Sequence, residues 1–263
     1  MTRFLTSLVL IPFFLYIVLW SPAMVFVGVV AVLALICFHE FLGLARAHFP
    51  ALNSFRFGPI PYVAGLVFLL TPPPEWLFLV LAALIVMLLV LRSQDLAACL
   101  PLAASAALGF IYIFGCWRSA IALRAISVHW MLFATGITWV GDTFAFYAGH
   151  AFGRHKLAPR ISPGKSWEGT TASLVAALAL GALYLHYFMP KVPLANALGL
   201  CFIANIAGQL GDLTESAFKR GAGIKDSGNL LPGHGGWLDR VDSSLFSMPV
   251  VYCLISQTWF VTP

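Results

Sequence analysis

Apolar residues run along this chain in stretches of about twenty, separated by short polar segments. The stretches are 4–20, 24–45, 58–71, 76–91, 96–115, 129–149, 170–189, 193–213 and 244–261. At 1.5 Å of rise per helical residue, a run of that length crosses a hydrocarbon core of roughly 30 Å. The pattern predicts an all-α fold, a polytopic integral membrane protein of about nine transmembrane helices. The third stretch is short, opens on Gly58, Pro59 and Pro61, and ends at Thr-Pro-Pro-Pro-Glu, so a re-entrant segment is the alternative there. The first stretch starts beside Arg3, as a signal peptide would. No small-x-small cleavage site is obvious and further spans follow at once, so it is read as a span.

Composition agrees with the pattern. The chain is 60% hydrophobic and 10% charged, against about half and about a quarter in a soluble domain. With no internal repeat, residues 1–263 read as a single transmembrane domain, in which 1–128 form an apolar scaffold and 129–263 the catalytic half. The five cysteines (37, 99, 116, 201, 253) lie in or beside apolar runs without metal-ligand spacing and read as packing residues. The net charge of +5 comes with no soluble basic domain, so nucleic acid is excluded as a partner.

Charge sets the expected orientation. Of the 15 Lys and Arg residues, only Arg118, Arg124 and Lys191 fall in loops on the side opposite the N-terminus. The positive-inside rule then puts the N-terminus, and the two long polar segments 150–169 and 214–243, in the cytoplasm. A chain with bacterial-type topology in the inner membrane and a site facing the cytoplasm is the expectation.

Those polar segments carry the candidate chemistry. If the helix ending the eighth stretch continues, Asp212, Glu215 or Ser216, and Lys219 share one face. Gly221 and Gly223 break it, and Lys225 and Asp226 follow. Gly233, Gly235 and Gly236 allow a tight turn whose N–H groups can approach a ligand. Asp239 and Asp242 come three apart on the next helix. Carboxylates interleaved with lysine and arginine suit a hard divalent cation and phosphate oxygens together. The bland alternative is a solvated loop with surface ion pairs, but three of these acids border bilayer spans, where an unpaired acid is expensive.

Upstream, Asp142 lies within the sixth stretch, where an acid is a site candidate by default; a structural pair with another span is its alternative. Gly-Lys-Ser at 164–166 is not a P-loop, because Pro159 stands where the first glycine belongs. It reads as a turn feeding a helix, with Lys165 and Ser166 near the N-terminus, where anions are favoured. Glu40, beside His39 in the second stretch, reads as a snorkelling or hydrogen-bonded residue, with a site wall as the alternative. His234 fits either a general base or a donor to phosphate.

The segment Ser-Ala-Phe-Lys-Arg-Gly-Ala-Gly-Ile-Lys-Asp, with Pro-Gly-His-Gly-Gly-Trp-Leu-Asp-Arg-Val-Asp after it, resembles the signature of the phosphatidate cytidylyltransferases. That pattern reads S-x-x-K-R-x4-K-D and then P-G-H-G-G-x-x-D-R-x-D. All its fixed positions are present: Ser216, Lys219, Arg220, Lys225, Asp226, Pro232, Gly233, His234, Gly235, Gly236, Asp239, Arg240 and Asp242. The block from Gly141 to Gly169 is similar to the family's upstream block, with Gly164 and Ser166 departing from its usual S-P-K-K-T-x-E-G. The resemblance implies a nine-helix homodimer that converts CTP and phosphatidate to CDP-diacylglycerol and pyrophosphate in phospholipid synthesis. It implies Mg²⁺ held by Asp212 and Asp239, with a monovalent cation such as K⁺ beside it in some members. Asp142, Lys165, Ser216, Lys219, Arg220, Lys225, Asp226, His234, Arg240 and Asp242 are then the candidate catalytic residues. Ser166, Gly233, Gly235 and Gly236 are candidates for substrate binding. Ser216, Ser166 and His234 lack an activating partner in the sequence, so direct transfer without a covalent enzyme intermediate is expected. The rivals are a CTP-dependent lipid kinase, which would release CDP, and an anion transporter, which would favour internal repeats and a midplane site.

Overall fold

The computed structural model describes residues 2–52, 57–71, 75–93, 95–231, 233 and 235–257 of the chain. Ten α-helices account for most of them: α1 (Thr2–Leu19), α2 (Ala23–His48), α3 (Ile60–Leu70), α4 (Glu75–Met87), α5 (Cys99–Gly109), α6 (Cys116–Ile126), α7 (Val128–Phe152), α8 (Trp167–Phe188), α9 (Leu194–Gly221) and α10 (Leu238–Ser256). The described residues form one sheet, two antiparallel strands β1 (Lys156–Ala158) and β2 (Ser162–Ser166) between α7 and α8. A helix lies over each predicted stretch, although residues 258–261 of the last fall outside the described residues. Four described helical segments are long and apolar enough to cross a membrane: Ala23–His48, Leu96–Ile126, Trp167–Phe188 and Leu194–Gly221. The chain is thus a helical membrane protein by composition and helix length, with nine crossings a finer expectation. At 11 residues α3 rises only about 17 Å, well short of a hydrocarbon core of roughly 30 Å.

The chain packs as two compact units. One comprises residues up to Ile121 together with Phe218–Arg240; the other comprises Ala122–Ala217 with the segment from Val241 onward. The first has an aromatic core. Phe114 packs against Phe38 and Phe110 with ring centroids 5.1 and 5.4 Å away, and Phe68 meets Phe110 at 5.7 Å. A π-helical turn, Phe110–Gly115, joins α5 to α6 and supplies two of these rings. Gly65 on α3 makes room for the Phe114 ring, which a Cβ there would overlap. The short helix α3 is fastened at its end by Arg118, whose guanidinium donates to the carbonyls of Leu69 (2.6 Å) and Thr71 (2.7 Å). Carbonyls at a helix C-terminus have no partner in their own helix, and a membrane interior offers none.

In the second unit α7 and α8 pack antiparallel along their length. Gly149 lies against Gly169 near the strand hairpin, and His129 meets Tyr184 at the far end. Polar side chains are buried here but paired. Asn205 donates to the Ser173 hydroxyl (3.0 Å), Gln209 to the Asn205 carbonyl (2.7 Å), and Ser247 to the Ala134 carbonyl (2.8 Å). Such ties hold apolar helices together where lipid tails give no hydrophobic drive.

The strand hairpin departs from the turn read at 162–166. Pro163 and Gly164 are poor strand formers, yet the pairing of Lys156 with Ser166 and Ala158 with Ser162 holds the segment extended. Ser166 nevertheless starts the helix as predicted, its hydroxyl accepting from the Gly169 N–H at 3.2 Å.

Gly141 tests the polar packing of this unit. A Cβ there would lie 2.5 Å from Asn205 Nδ2 and 2.6 Å from Ser173 Oγ, whereas Gly136 on the same helix has open space. Gly141→Ala should lower the thermal midpoint in detergent by an amount equivalent to about 1–3 kcal/mol. Gly136→Ala should leave it unchanged or raise it by up to about 1 kcal/mol through helix propensity. Equal effects at the two positions would contradict the packing described.

Candidate active site

The polar residues form one constellation in each unit. In the unit that carries α7 and α8, α9 continues unbroken past the end of its apolar stretch, as the predicted common face requires. Asp212 stands on α9 with Ser216 one turn further, and the Ser216 hydroxyl donates to Asp212 Oδ1 at 3.3 Å. The other carboxylate oxygen pairs with Lys165 of β2, Nζ to Oδ2 at 2.6 Å. Both side chains keep about a quarter of their surface exposed. Asp142, on α7, accepts from the Ser243 hydroxyl at 3.4 Å, while the Ser243 N–H donates to Asp242 at 2.7 Å. Ser243 therefore links two of the predicted acids. Ser166 is buried, its hydroxyl engaged in capping α8. Glu215 is fully buried on α9.

In the other unit α9 ends in a C-terminal turn with Gly223 at φ +71°. The Gly223 N–H donates to the Arg220 carbonyl and the Ile224 N–H to the Lys219 carbonyl, both at 3.0 Å. This hydrogen-bond pair closes a helix where glycine takes the left-handed conformation. Lys219, in the last turn, reaches Asp239 at the start of α10, Nζ to Oδ1 at 2.5 Å. The pair is nearly sealed from solvent, with side-chain exposures of 11% and 4%. Asp239 Oδ2 accepts from the N–H of Gly236 (2.8 Å), the N–H of Ser227 (2.9 Å) and the Ser227 hydroxyl (3.0 Å). Burial pushes this carboxyl up. The Lys219 ammonium and the Gly236 and Ser227 N–H groups outweigh burial and hold it below the usual carboxylate range.

The glycine turn wraps that carboxylate. Gly233 and Gly235 take φ of +77° and +80°, and a Cβ on Gly235 would lie 2.7 Å from Asp239 Oδ2. The Gly236 N–H, offered by the sequence as a ligand donor, is held by Asp239 instead. Arg220, Lys225, Asp226 and Arg240 are exposed around this turn, Arg220 also donating to the Ile224 carbonyl at 3.3 Å. His234 and Pro232 lie outside the described residues.

Sequence reading passed over Ser227, which bonds to Asp239 while its neighbour Asp226 was the residue singled out. Nothing in its type or spacing marks it. Glu40 carried a usable signal, an acid deep in an apolar run. In the structure it is hydrogen-bonded. Glu40 is 5% exposed on α2, and its carboxylate accepts from the N–H groups of Trp237 and Leu238 at 3.1 and 2.8 Å. The described residues contain no cluster of three or more His, Cys, Asp or Glu side chains able to close around a metal. What they offer is hard carboxylate oxygen, in each unit already facing a cation, a lysine ammonium.

Residues 1–258 match the family model described as "Cytidylyltransferase family". A protein named phosphatidate cytidylyltransferase from Staphylococcus aureus (strain COL) is 33% identical, the match covering 97% of this chain and 99% of that protein. Proteins of the same name from Staphylococcus haemolyticus (strain JCSC1435) and Bacillus subtilis (strain 168) are both 40% identical. Those matches cover 62% and 57% of this chain and 60% and 56% of theirs.

The Asp239 geometry predicts a pH signature. A carboxyl held below its unfolded value of about 3.9 stabilises the fold above that pH and ceases to do so as pH falls through the folded value. Asp239→Asn also leaves the Lys219 ammonium buried without its counter-charge, a change that costs up to about 3–5 kcal/mol. In chelator-containing detergent the stability difference between wild type and Asp239→Asn should stay constant from about pH 5 to 8 and shrink below about pH 4. A difference that grows on acidification would contradict the geometry.

Proposed function

Since the chain belongs to the cytidylyltransferase family, we propose that it transfers the cytidylyl group of CTP to phosphatidate, giving CDP-diacylglycerol and pyrophosphate, by direct attack with Mg²⁺ at the site. The observation that carries the mechanism is the repeated pairing of a carboxylate with a lysine, Lys165 with Asp212 and Lys219 with Asp239. A carboxylate that already holds an ammonium can hold a divalent cation, and the released ammonium then becomes available to a phosphate oxygen.

Asp212 and Asp239 are the proposed Mg²⁺ ligands. Mg²⁺ is commonly held by one or two carboxylates plus substrate phosphates. When bound, it neutralises phosphate charge on the nucleotide and on the departing pyrophosphate. The remaining chemistry is positioning. Phosphatidate carries a phosphomonoester whose second pKa lies near 6, so at neutral pH it is largely dianionic and needs no base. One of its oxygens forms a bond to the α-phosphorus of CTP while the bond to the bridging oxygen breaks, and pyrophosphate leaves with the electron pair. Lys165, Lys219, Arg220, Lys225 and Arg240 offset the repulsion between two anions. Among the described residues neither Ser166 nor Ser216 has a histidine hydrogen-bond partner, so neither is equipped as a nucleophile.

The reaction also accounts for an apolar chain with polar loops. A lipid with two acyl chains is met in the bilayer, whereas the nucleotide arrives from water. The charge asymmetry of the loops supports a cytoplasmic site in the inner membrane, and family resemblance supports a homodimer.

Asp239→Asn keeps side-chain size and removes the charge. In vesicles supplied with CTP, phosphatidate and Mg²⁺, turnover should fall by about 10²-fold or more. Near-normal turnover in folded Asp239→Asn protein would remove Asp239 from the metal site. Orientation has its own check. Cysteines placed at Arg160 and Asn229 should resist an impermeant thiol reagent in intact cells and react after permeabilisation; labelling at Arg160 from outside would overturn the cytoplasmic placement.

A further inference from the structure

Glu40 does more than remain paired. Its oxygens accept from the Trp237 N–H (3.1 Å), the Leu238 N–H (2.8 Å) and the Ser227 hydroxyl (3.3 Å). The first two are N–H groups at the start of α10, which lack partners within the helix. A neighbouring serine or aspartate ordinarily satisfies such groups; here the acceptor comes from a helix nearly 200 residues earlier in the chain. The loop is shaped around it. A Cβ on Gly228 would lie 2.6 Å from Glu40 Oε1, and one on Gly236 would lie 2.6 Å from Oε2. Ser227 connects the two acids, its hydroxyl 3.0 Å from Asp239 Oδ2 and 3.3 Å from Glu40 Oε2. Having one proton, it donates to one carboxylate at a time.

We propose that Glu40 is a positioning residue for the transfer reaction. It holds the glycine turn and the first turn of α10 so that Asp239 stands fixed between Lys219 and the turn. The assignment rests on the cytidylyl-transfer reading for its kinetic consequence, but its structural consequence stands apart from it. Glu40 touches no reacting group in this account; it acts through the amides of Trp237 and Leu238 and through Ser227. Glutamine at this position keeps the length and one carbonyl acceptor but turns the other oxygen into a donor facing N–H groups. Alanine removes both acceptors. The order of effect is therefore wild type, then Glu40→Gln, then Glu40→Ala.

The test combines amide hydrogen exchange with kinetics on the full-length protein in lipid nanodiscs. Glu40→Gln should fold, with a single unfolding transition. Its amides at 236–238 should exchange about tenfold faster or more, while those of α8 are unchanged. Its kcat should fall about tenfold or more with KM for CTP within about threefold, and Glu40→Ala should fall further. Wild-type exchange at 236–238, or wild-type kcat, in folded Glu40→Gln would overturn the proposal. So would a rise in KM for CTP at unchanged kcat, which would make Glu40 part of nucleotide binding. If Glu40→Gln does not fold, Glu40→Asp, which keeps the charge but draws both oxygens back from the turn, replaces it: faster exchange at 236–238 with a lower kcat supports the proposal, and the absence of any change refutes it. If wild-type protein fails to convert CTP and phosphatidate, the functional reading falls. The exchange arm still decides whether Glu40 holds the turn.

Discussion

Burying a carboxylate in a chain that is 60% hydrophobic obliges its surroundings to supply donors. Asp239 meets that demand with an ammonium, two backbone N–H groups and a hydroxyl. Each donor fixes a piece of chain. Lys219 ties down the end of α9, Ser227 the loop that follows, and Gly236 the entry to α10. Glu40 repeats the arrangement from α2 and gathers the next two amides. The glycines of the turn follow as a consequence. Gly228, Gly235 and Gly236 lie where a Cβ would strike one of these two carboxylates. A segment that looks built to present N–H groups to a ligand is first of all built to enclose its own acids.

The same logic explains the lysines. Lys165 and Lys219 each neutralise an acid proposed to hold metal. Reading the lysines as phosphate ligands and the acids as metal ligands assigns each a role in the loaded enzyme. The ion pairs show how those charges are tolerated without substrate. One pair is partly open to solvent and the other nearly sealed, so exchanging the ammonium for a metal ion demands more rearrangement at Asp239 than at Asp212. Arg220, Lys225 and Arg240 are exposed in this structure, on the surface that an anion arriving from water meets first.

Much of this was legible in the sequence because polarity is expensive here. Asp142, Asp212 and Asp239 stood out against apolar runs, and the glycines at 221 and 223 marked the end of α9 as it occurs. The shared face of Asp212 and Ser216 followed from helical spacing alone. What escaped was long-range or weakly encoded. Strands β1 and β2 are three and five residues long, and β2 contains proline and glycine, so no period-two pattern announces them. Ser227 is an ordinary loop serine until Asp239 folds against it. The partners of Glu40 lie 187 to 198 residues away, beyond any local pattern. The third stretch is short in the sequence and α3 is short in the structure, with Arg118 holding its C-terminal end and the Phe114 ring packed on its face at Gly65.

In the proposed reaction a nucleotidyl group, and not a phosphoryl group, passes to the lipid. Purified wild-type protein in phosphatidate-containing vesicles with CTP and Mg²⁺ decides this by product analysis. Pyrophosphate and CDP-diacylglycerol are expected in equal amounts, with no CDP released. Release of CDP alongside a further phosphorylated lipid, or the absence of any product from folded protein, would contradict it.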